Sequence, residues 1–203
     1  MPRKNLIRTS EFPYHVTIRT NNKEWFNLPL KEVWQMCLLG ISETVKRHEA
    51  KIQAFVLMNN HYHLLIWTPK SNLDKFMQMF NSRLSKEIRK STGNINRIFG
   101  DRYHWCLIKD EKYHQSVLRY IYQNPLRAGI SKRCESYEFS TLKYFINEID
   151  LGFKLCVRHE GSNKYFLRWL NQELDTKSSK KLTTAISKPI FKISVERSSR
   201  RKF

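Results

Sequence analysis

The sequence predicts an α+β fold, an antiparallel sheet of about four strands with helices packed on one or both faces. Three observations point there. Short stretches of alternating apolar and polar residues are interspersed with longer ones whose apolar positions recur every three or four residues. Their order along the chain is strand, helix, strand, strand, helix, strand, helix. One joint, Asn59-Asn60, separates two apolar runs by a turn-forming pair and reads as a β-hairpin.

Residues 1–11 are basic and polar and form an arm. Tyr14, Val16 and Ile18 alternate with His15, Thr17 and Arg19, which places a first strand over about 13–20. From Leu30 the spacing becomes helical through Val33, Trp34, Cys37, Leu38, Ile41 and Val45, ending near Arg47-His48. The hairpin strands, 52–58 and 61–68, follow and close at Pro69. Ser71 is the candidate N-cap of a second helix, and Asp74 in its first turn favours the helix dipole. Its buried stripe is Leu73, Phe76, Met77, Phe80, Leu84 and Ile88, and Gly93 ends it. Arg83, Lys86 and Lys90 make a basic ridge on another face. A loop over 97–103 leads to a fourth strand, 103–108. A third helix runs from about 110 to 124, where Pro125 stops it.

Regular patterning weakens after Gly129. Residues 137–142 read as a packing segment and 163–174 as a short amphipathic helix. From Thr176 onward Lys, Ser and Arg dominate, with Glu196 the single side-chain carboxylate, which predicts a flexible basic tail. The chain thus divides into a domain over 1–150 and a basic C-terminal extension over 151–203.

With 37 Lys and Arg against 18 Asp and Glu, the formal net charge is +19. That excess calls for a polyanionic partner, nucleic acid ahead of an anionic membrane surface. No apolar run approaches the roughly 20 residues of a membrane span, and residues 1–5 lack a signal-peptide core. The four cysteines are scattered, with no Cys-x-x-Cys pair. These features are those of a cytoplasmic, nucleoid-associated protein.

The chemistry centres on Asn59-Asn60-His61-Tyr62-His63. Alternation along a strand projects His61 and His63 from one face and Tyr62 from the other. Two imidazoles about 6–7 Å apart there can share a divalent ion. On the third helix, Tyr120 and Asn124 lie about 40° apart on one face. Asn124 offers an amide oxygen, a hard ligand for Mg²⁺ or Mn²⁺; Tyr120 offers a phenol that becomes a nucleophile when deprotonated. A lone His-x-His is ordinarily structural and a lone helix tyrosine ordinarily packs; only their combination points to chemistry. Tyrosine attack on a phosphodiester would leave a covalent phosphotyrosine and conserve the bond energy for rejoining.

Tyr14-His15-Val16-Thr17 with Asn21-Asn22, then Met58 through Leu65, then Tyr120-Ile121-Tyr122-Gln123-Asn124-Pro125-Leu126-Arg127-Ala128-Gly129 together resemble the single-tyrosine transposases of the HUH superfamily. The resemblance spans roughly residues 8–145 and is strongest to the REP-associated tyrosine transposases. It implies a ferredoxin-like sheet, single-stranded, hairpin-bearing DNA as substrate, and cleavage to a 5′-phosphotyrosine and a free 3′-hydroxyl. By position it assigns His61, His63 and Asn124 to the metal, Mg²⁺ or Mn²⁺, and Tyr120 to the nucleophile. Two positions depart from the family: Tyr62 replaces a smaller aliphatic, and Asn59-Asn60 replaces Pro-Asn. Arg19, Arg83, Lys86, Arg102 and Arg127 are candidates for gripping the DNA backbone, with Trp67, Tyr103 or Trp105 stacking on bases. Rival readings are a non-catalytic single-stranded DNA- or RNA-binding module, a decayed transposase included, and a relaxase or replication initiator. The last usually carries a helicase for which this chain is too short. Monomer and homodimer both remain open.

Overall fold

Alternation along the strands sorts side chains to two faces, and both faces of the sheet are buried. The computed structural model describes residues 5–159 and 161–193. Its four strands and first two α-helices are β1 (Tyr14–Arg19), α1 (Leu30–His48), β2 (Lys51–Leu57), β3 (His61–Trp67), α2 (Leu73–Thr92) and β4 (His104–Leu107). The strands lie in the order β2-β3-β1-β4 and every neighbouring pair is antiparallel. This is the ferredoxin-like βαββαβ arrangement that the element order and the resemblance predict.

The first face carries Tyr14, Val16, Ile18, Tyr62, Leu64 and Ile66 against the apolar stripes of α1 and α2. All six residues expected along α2 are buried, and Gly93 ends that helix at φ 69°. The two helices approach closely at Gly40, where an added Cβ would stand 3.2 Å from the Phe80 ring. Tyr62 fits inside this core, fully buried, with its hydroxyl donating to Asn81 Oδ1 at 2.5 Å. The N-cap is not Ser71, however. Ser71 takes φ 53° in the preceding turn, and Asn72 caps without a side-chain hydrogen bond.

The second face carries Ala54, Val56, Leu65 and Cys106 under α3 (Glu111–Tyr122), α4 (Asn124–Arg127), α5 (Thr141–Ile146), α6 (Asn163–Leu170) and α7 (Thr176–Ile186). Asp110 caps α3 by accepting from the Lys112 N–H at 2.9 Å. Pro125 does not end the chain's helical course. It enters the first turn of α4, where a backbone N–H would have no partner within that helix.

Both sheet edges are closed by later segments. Along β2, the Leu57 N–H donates to Phe139 O at 2.9 Å and the Phe55 N–H to Thr141 Oγ1 at 2.9 Å. Along β4, residues 189–191 run parallel to Leu107, whose N–H donates to Pro189 O at 2.8 Å while the Phe191 N–H donates to Leu107 O at 2.9 Å. An edge so covered cannot template pairing with another chain.

The flexible tail expected from Thr176 is therefore corrected as far as Ile193. Composition concealed an amphipathic turn: Leu182, Ala185 and Ile186, spaced by three and one, face the core, and Phe191 is buried to 2% exposure. Residues 194–203, the rest of that predicted tail, lie outside the described residues.

Docking of this segment predicts that Phe191→Ala costs about 3 kcal/mol, the range for emptying a buried aromatic site. Urea unfolding of the full chain measures it, and an unchanged midpoint would mean that 189–191 does not pack against β4.

Candidate active site

Register decides which side chains meet. Thr17 pairs with His63 and His15 with Leu65 across the β1–β3 ladder, so His15 and His63 are diagonal neighbours on one face. Their rings stack with centroids 5.2 Å apart, and His15 Nε2 lies 3.0 Å from His63 Nδ1. His61 is two residues along the same face, its ring centroid 5.1 Å from that of His63. Above them α3 delivers Tyr120, whose ring meets His63 edge-on at 5.7 Å and His15 edge-on at 6.0 Å. The four rings form one cluster on the α3 side of the sheet.

Asn124 has a backbone task as well. Because Pro125 has no N–H, the Ile121 carbonyl loses its helical partner. Asn124 Nδ2 donates instead to Tyr120 O at 2.9 Å and Ile121 O at 3.2 Å. Its Oδ1 is thereby turned away from the helix and accepts from Arg127 Nη2 at 2.8 Å. The same guanidinium lies 4.0 Å from the Tyr120 ring centroid, a cation–π contact. On the outer side of α3, Gln123 Nε2 donates to Leu170 O at 2.7 Å and Gln172 O at 2.8 Å, and Arg119 donates to Gln172 O. The segment around α6 thus holds the C-terminal end of the tyrosine helix in place.

The histidines are electrostatically tuned toward the neutral form. Burial, reinforced by the charge of Arg19, lowers His61 to about 4; burial lowers His15 to about 3. His63, fully enclosed and flanked by His15, His61, Arg127 and Arg19, is driven well below the usual imidazole range. Neutral imidazole is the ligand form. His61 Nδ1 lies 2.8 Å from Asn60 Oδ1, which accepts its proton and leaves Nε2 as the free lone pair. His63 Nδ1, in turn, can give its proton to His15 Nε2, leaving Nε2 for a ligand. His61 and His63 fit a divalent ion. His15 is engaged behind His63, and among the described residues no three of His, Cys, Asp or Glu converge on one point. A third protein donor would be Asn124 Oδ1, which retains a second lone pair beside its bond to Arg127.

Sequence reasoning missed His15 and Asn60 as supporting groups. The strand alternation that groups His61 with His63 also puts His15 on a common face with Thr17 and Arg19, but the β1–β3 register that brings His15 to His63 is not written in either strand. The predicted basic residues divide. Arg19 and Arg127 lie beside the histidines: Arg19 pairs in register with His61, and the Arg127 guanidinium sits over the Tyr120 ring. Arg83 and Lys86 belong to α2 on the other face, and Arg83 is ion-paired with Glu43 of α1. Arg102 lies in a cleft on that same far side. Of the candidate stacking residues, Trp105 is buried against Tyr14, Trp67 is half-buried with its Nε1–H donating to Ser10 O at 2.7 Å, and Tyr103 is half-buried in the cleft.

The model of the IS200-like transposases matches residues 8–147. No curated protein matches the chain. Among solved structures, it is similar to a REP-associated tyrosine transposase bound to a REP hairpin, at 17% identity over 79% of this chain and 96% of that one, with a TM-score of 0.62. That likeness is one of fold. A Deinococcus radiodurans R1 protein (13% identity, 60% and 94% covered, TM-score 0.41) and a Saccharomyces cerevisiae tRNA(His) guanylyltransferase (9%, 92% and 82%, TM-score 0.44) are too distant to carry an argument.

The lowered histidines make stability depend on pH. Each is neutral in the fold but titrates near 6.5 when unfolded, so acid favours the unfolded chain. Stability is complete above about pH 6.5 and falls as pH drops toward 4, by up to about 1.4 kcal/mol per pH unit for each fully buried histidine. Melting temperature followed by circular dichroism in EDTA checks this; a flat profile from pH 7 to 4.5 would show that these rings charge without loss of packing.

Proposed function

The chain belongs to the IS200-like transposase family, and we propose that it is a metal-dependent strand-transferase that cleaves and rejoins single-stranded, hairpin-bearing DNA through Tyr120. The observation that carries this reading is the placement of the Tyr120 ring edge-on to His63 at 5.7 Å, with His61 beside it and Arg127 over the ring. Cleavage is a transesterification. Tyr120 Oη attacks the scissile phosphorus, the bond from phosphorus to the 3′ oxygen breaks, and a 5′-phosphotyrosine forms. The phenolic proton is given up and the departing 3′ oxygen takes one, so no nucleotide cofactor is consumed. Attack by a 3′-hydroxyl reverses the step and rejoins a strand.

His61 and His63 would hold the ion, with Asn124 Oδ1 the candidate third donor. Mg²⁺ or Mn²⁺ bound there supplies Lewis-acid polarisation of the phosphate. Arg127 and Arg19 offer guanidinium groups to the phosphate oxygens from either side of the histidines. His15 is a positioning residue: by accepting from His63 Nδ1–H it fixes that ring's tautomer and orientation. Residues 1–150 would carry the chemistry, and in the extension over 151–203 the described segment around α6 would brace the tyrosine helix. DNA is the partner, and assembly as a homodimer is compatible with this scheme.

The test uses labelled hairpin-bearing single strands incubated with Mg²⁺ or EDTA. We expect a metal-dependent, protease-sensitive adduct on the 5′ end, reduced by at least ~10³-fold in Tyr120→Phe while DNA binding persists. Binding with no adduct under any metal would favour a non-catalytic module instead. For His15, Mn²⁺ affinity read by electron paramagnetic resonance should weaken ~10–100-fold in His15→Leu and largely recover in His15→Gln, which restores an acceptor. Wild-type affinity in His15→Leu would reduce His15 to a packing residue.

A further inference from the structure

The aromatics that the sequence offers for stacking on bases are buried or half-buried, yet a tryptophan outside that set is 69% exposed. It is Trp25, in the segment over 20–29 that joins β1 to α1. The proposed chemistry makes no use of it.

That segment leaves β1 at Arg19, which pairs in register with His61, and it is fastened to the turn before His61. The Thr20 N–H donates to Asn60 O at 2.8 Å, and the Thr20 hydroxyl is shared between Asn60 O, at 3.1 Å, and Glu24 O. Asn60 Nδ2 donates to Lys23 O at 2.7 Å, while Oδ1 of the same amide holds His61 Nδ1 at 2.8 Å. One side chain therefore fixes a ring of the site and the backbone two residues before Trp25.

The segment itself is constrained. Asn22, Lys23 and Asn27 take φ of 52°, 62° and 55°. This left-handed region is costly for a residue with a Cβ and persists where the surroundings impose it. Phe26 is 4% exposed in the α1–α2 core, which anchors the chain just beyond Trp25 and leaves the indole in solvent.

We infer that Trp25 stacks on a base of the single strand next to the cut and so fixes which nucleotide lies there. The inference deepens the strand-transferase reading and rests on it. An exposed ring on a backbone already held in place loses little freedom when it binds. Asn21, Asn22, Lys23, Glu24 and Asn27 around it are polar and exposed. One ring in a polar surround offers the π-face that a single base needs, whereas a protein partner needs a contiguous apolar patch. Arg19 and Lys23 supply cations for the adjoining phosphates, against Glu24 as the acid of the segment.

The experiment uses the full chain carrying Tyr120→Phe, so that strands bind without being cut, and hairpin-bearing single strands with 5-iodouracil walked along the unpaired part. Irradiation should cross-link one position of the strand to Trp25, located by mass spectrometry. By fluorescence anisotropy, adding Trp25→Ala should weaken binding ~10-fold, the worth of one stacked base, and adding Trp25→Phe should restore most of it. An unchanged melting temperature in Trp25→Ala keeps loss of fold out of the comparison. An abasic nucleotide at the cross-linked position should cost the parent the same ~10-fold and cost the Trp25→Ala protein nothing further, because ring and base then act as one pair. Losses that add, or cross-links that avoid Trp25, would overturn the inference. The cleavage reading is judged separately, by the adduct assay with Tyr120 present. Adduct formation alongside additive losses leaves that reading intact and removes the stack; paired losses without any adduct uphold the stack and sink the cleavage reading.

Discussion

The antiparallel ladder between β1 and β3 is the interaction on which the candidate site depends. A strand's side chains alternate, so a slip of one residue would send His61 and His63 into the α1–α2 core and Tyr62 out toward α3. Several features forbid that slip. Tyr62 is fully buried on one face with its hydroxyl bonded to Asn81, while Leu65 is fully buried on the other. The Asn59-Asn60 turn closes the β2–β3 hairpin with the Met58 N–H on His61 O at 2.8 Å. The registration that builds the hydrophobic core also assembles the imidazoles, without a separate device for either.

Tyr120 reaches this face through a second constraint, the way the chain accommodates Pro125. The proline removes one backbone donor, Asn124 replaces it with its amide nitrogen, and the amide oxygen is left facing Arg127. Arg127 in turn lies over the Tyr120 ring. A tyrosine, an amide and a guanidinium spread over eight positions are thereby locked to one another by the geometry of a helix end. Burial adds an electrostatic consequence. Enclosing three histidines with two arginines nearby disfavours the imidazolium form, so the site is held in the state that can ligate a cation. Arg19 and Arg127 supply the positive charge that an anionic backbone would meet there.

The sheet separates two kinds of surface. The α3 side carries the histidine–tyrosine cluster and is braced by α6 through Gln123 and Arg119. The α2 side carries a cleft whose lining includes Arg89, Arg97 and Arg102, and at the end of β1 the Gly100 N–H donates to Arg19 O at 3.3 Å. The excess of 19 positive charges is therefore not one uniform patch: Arg83 is spent on Glu43, whereas Arg97 and Arg102 line the cleft.

Much of this was legible before any fold was known, because it depends on local periodicity. The stripe of α2, the hairpin turn, the pairing of His61 with His63 and the one-turn spacing of Tyr120 and Asn124 all follow from 2.0- and 3.6-residue repeats. Contacts between distant segments were not legible. His15 meets His63 across 48 residues, and nothing local to Tyr14-His15-Val16 states which strand lies alongside. The tail failed for a related reason. Its lysines and serines dominated the composition, yet three apolar side chains in α7 and Phe191 found a surface prepared by β4 and α3. Local sequence sets the conformation and the face of each element; only packing decides which faces meet, since burial is a property of the pair and is absent from either segment alone.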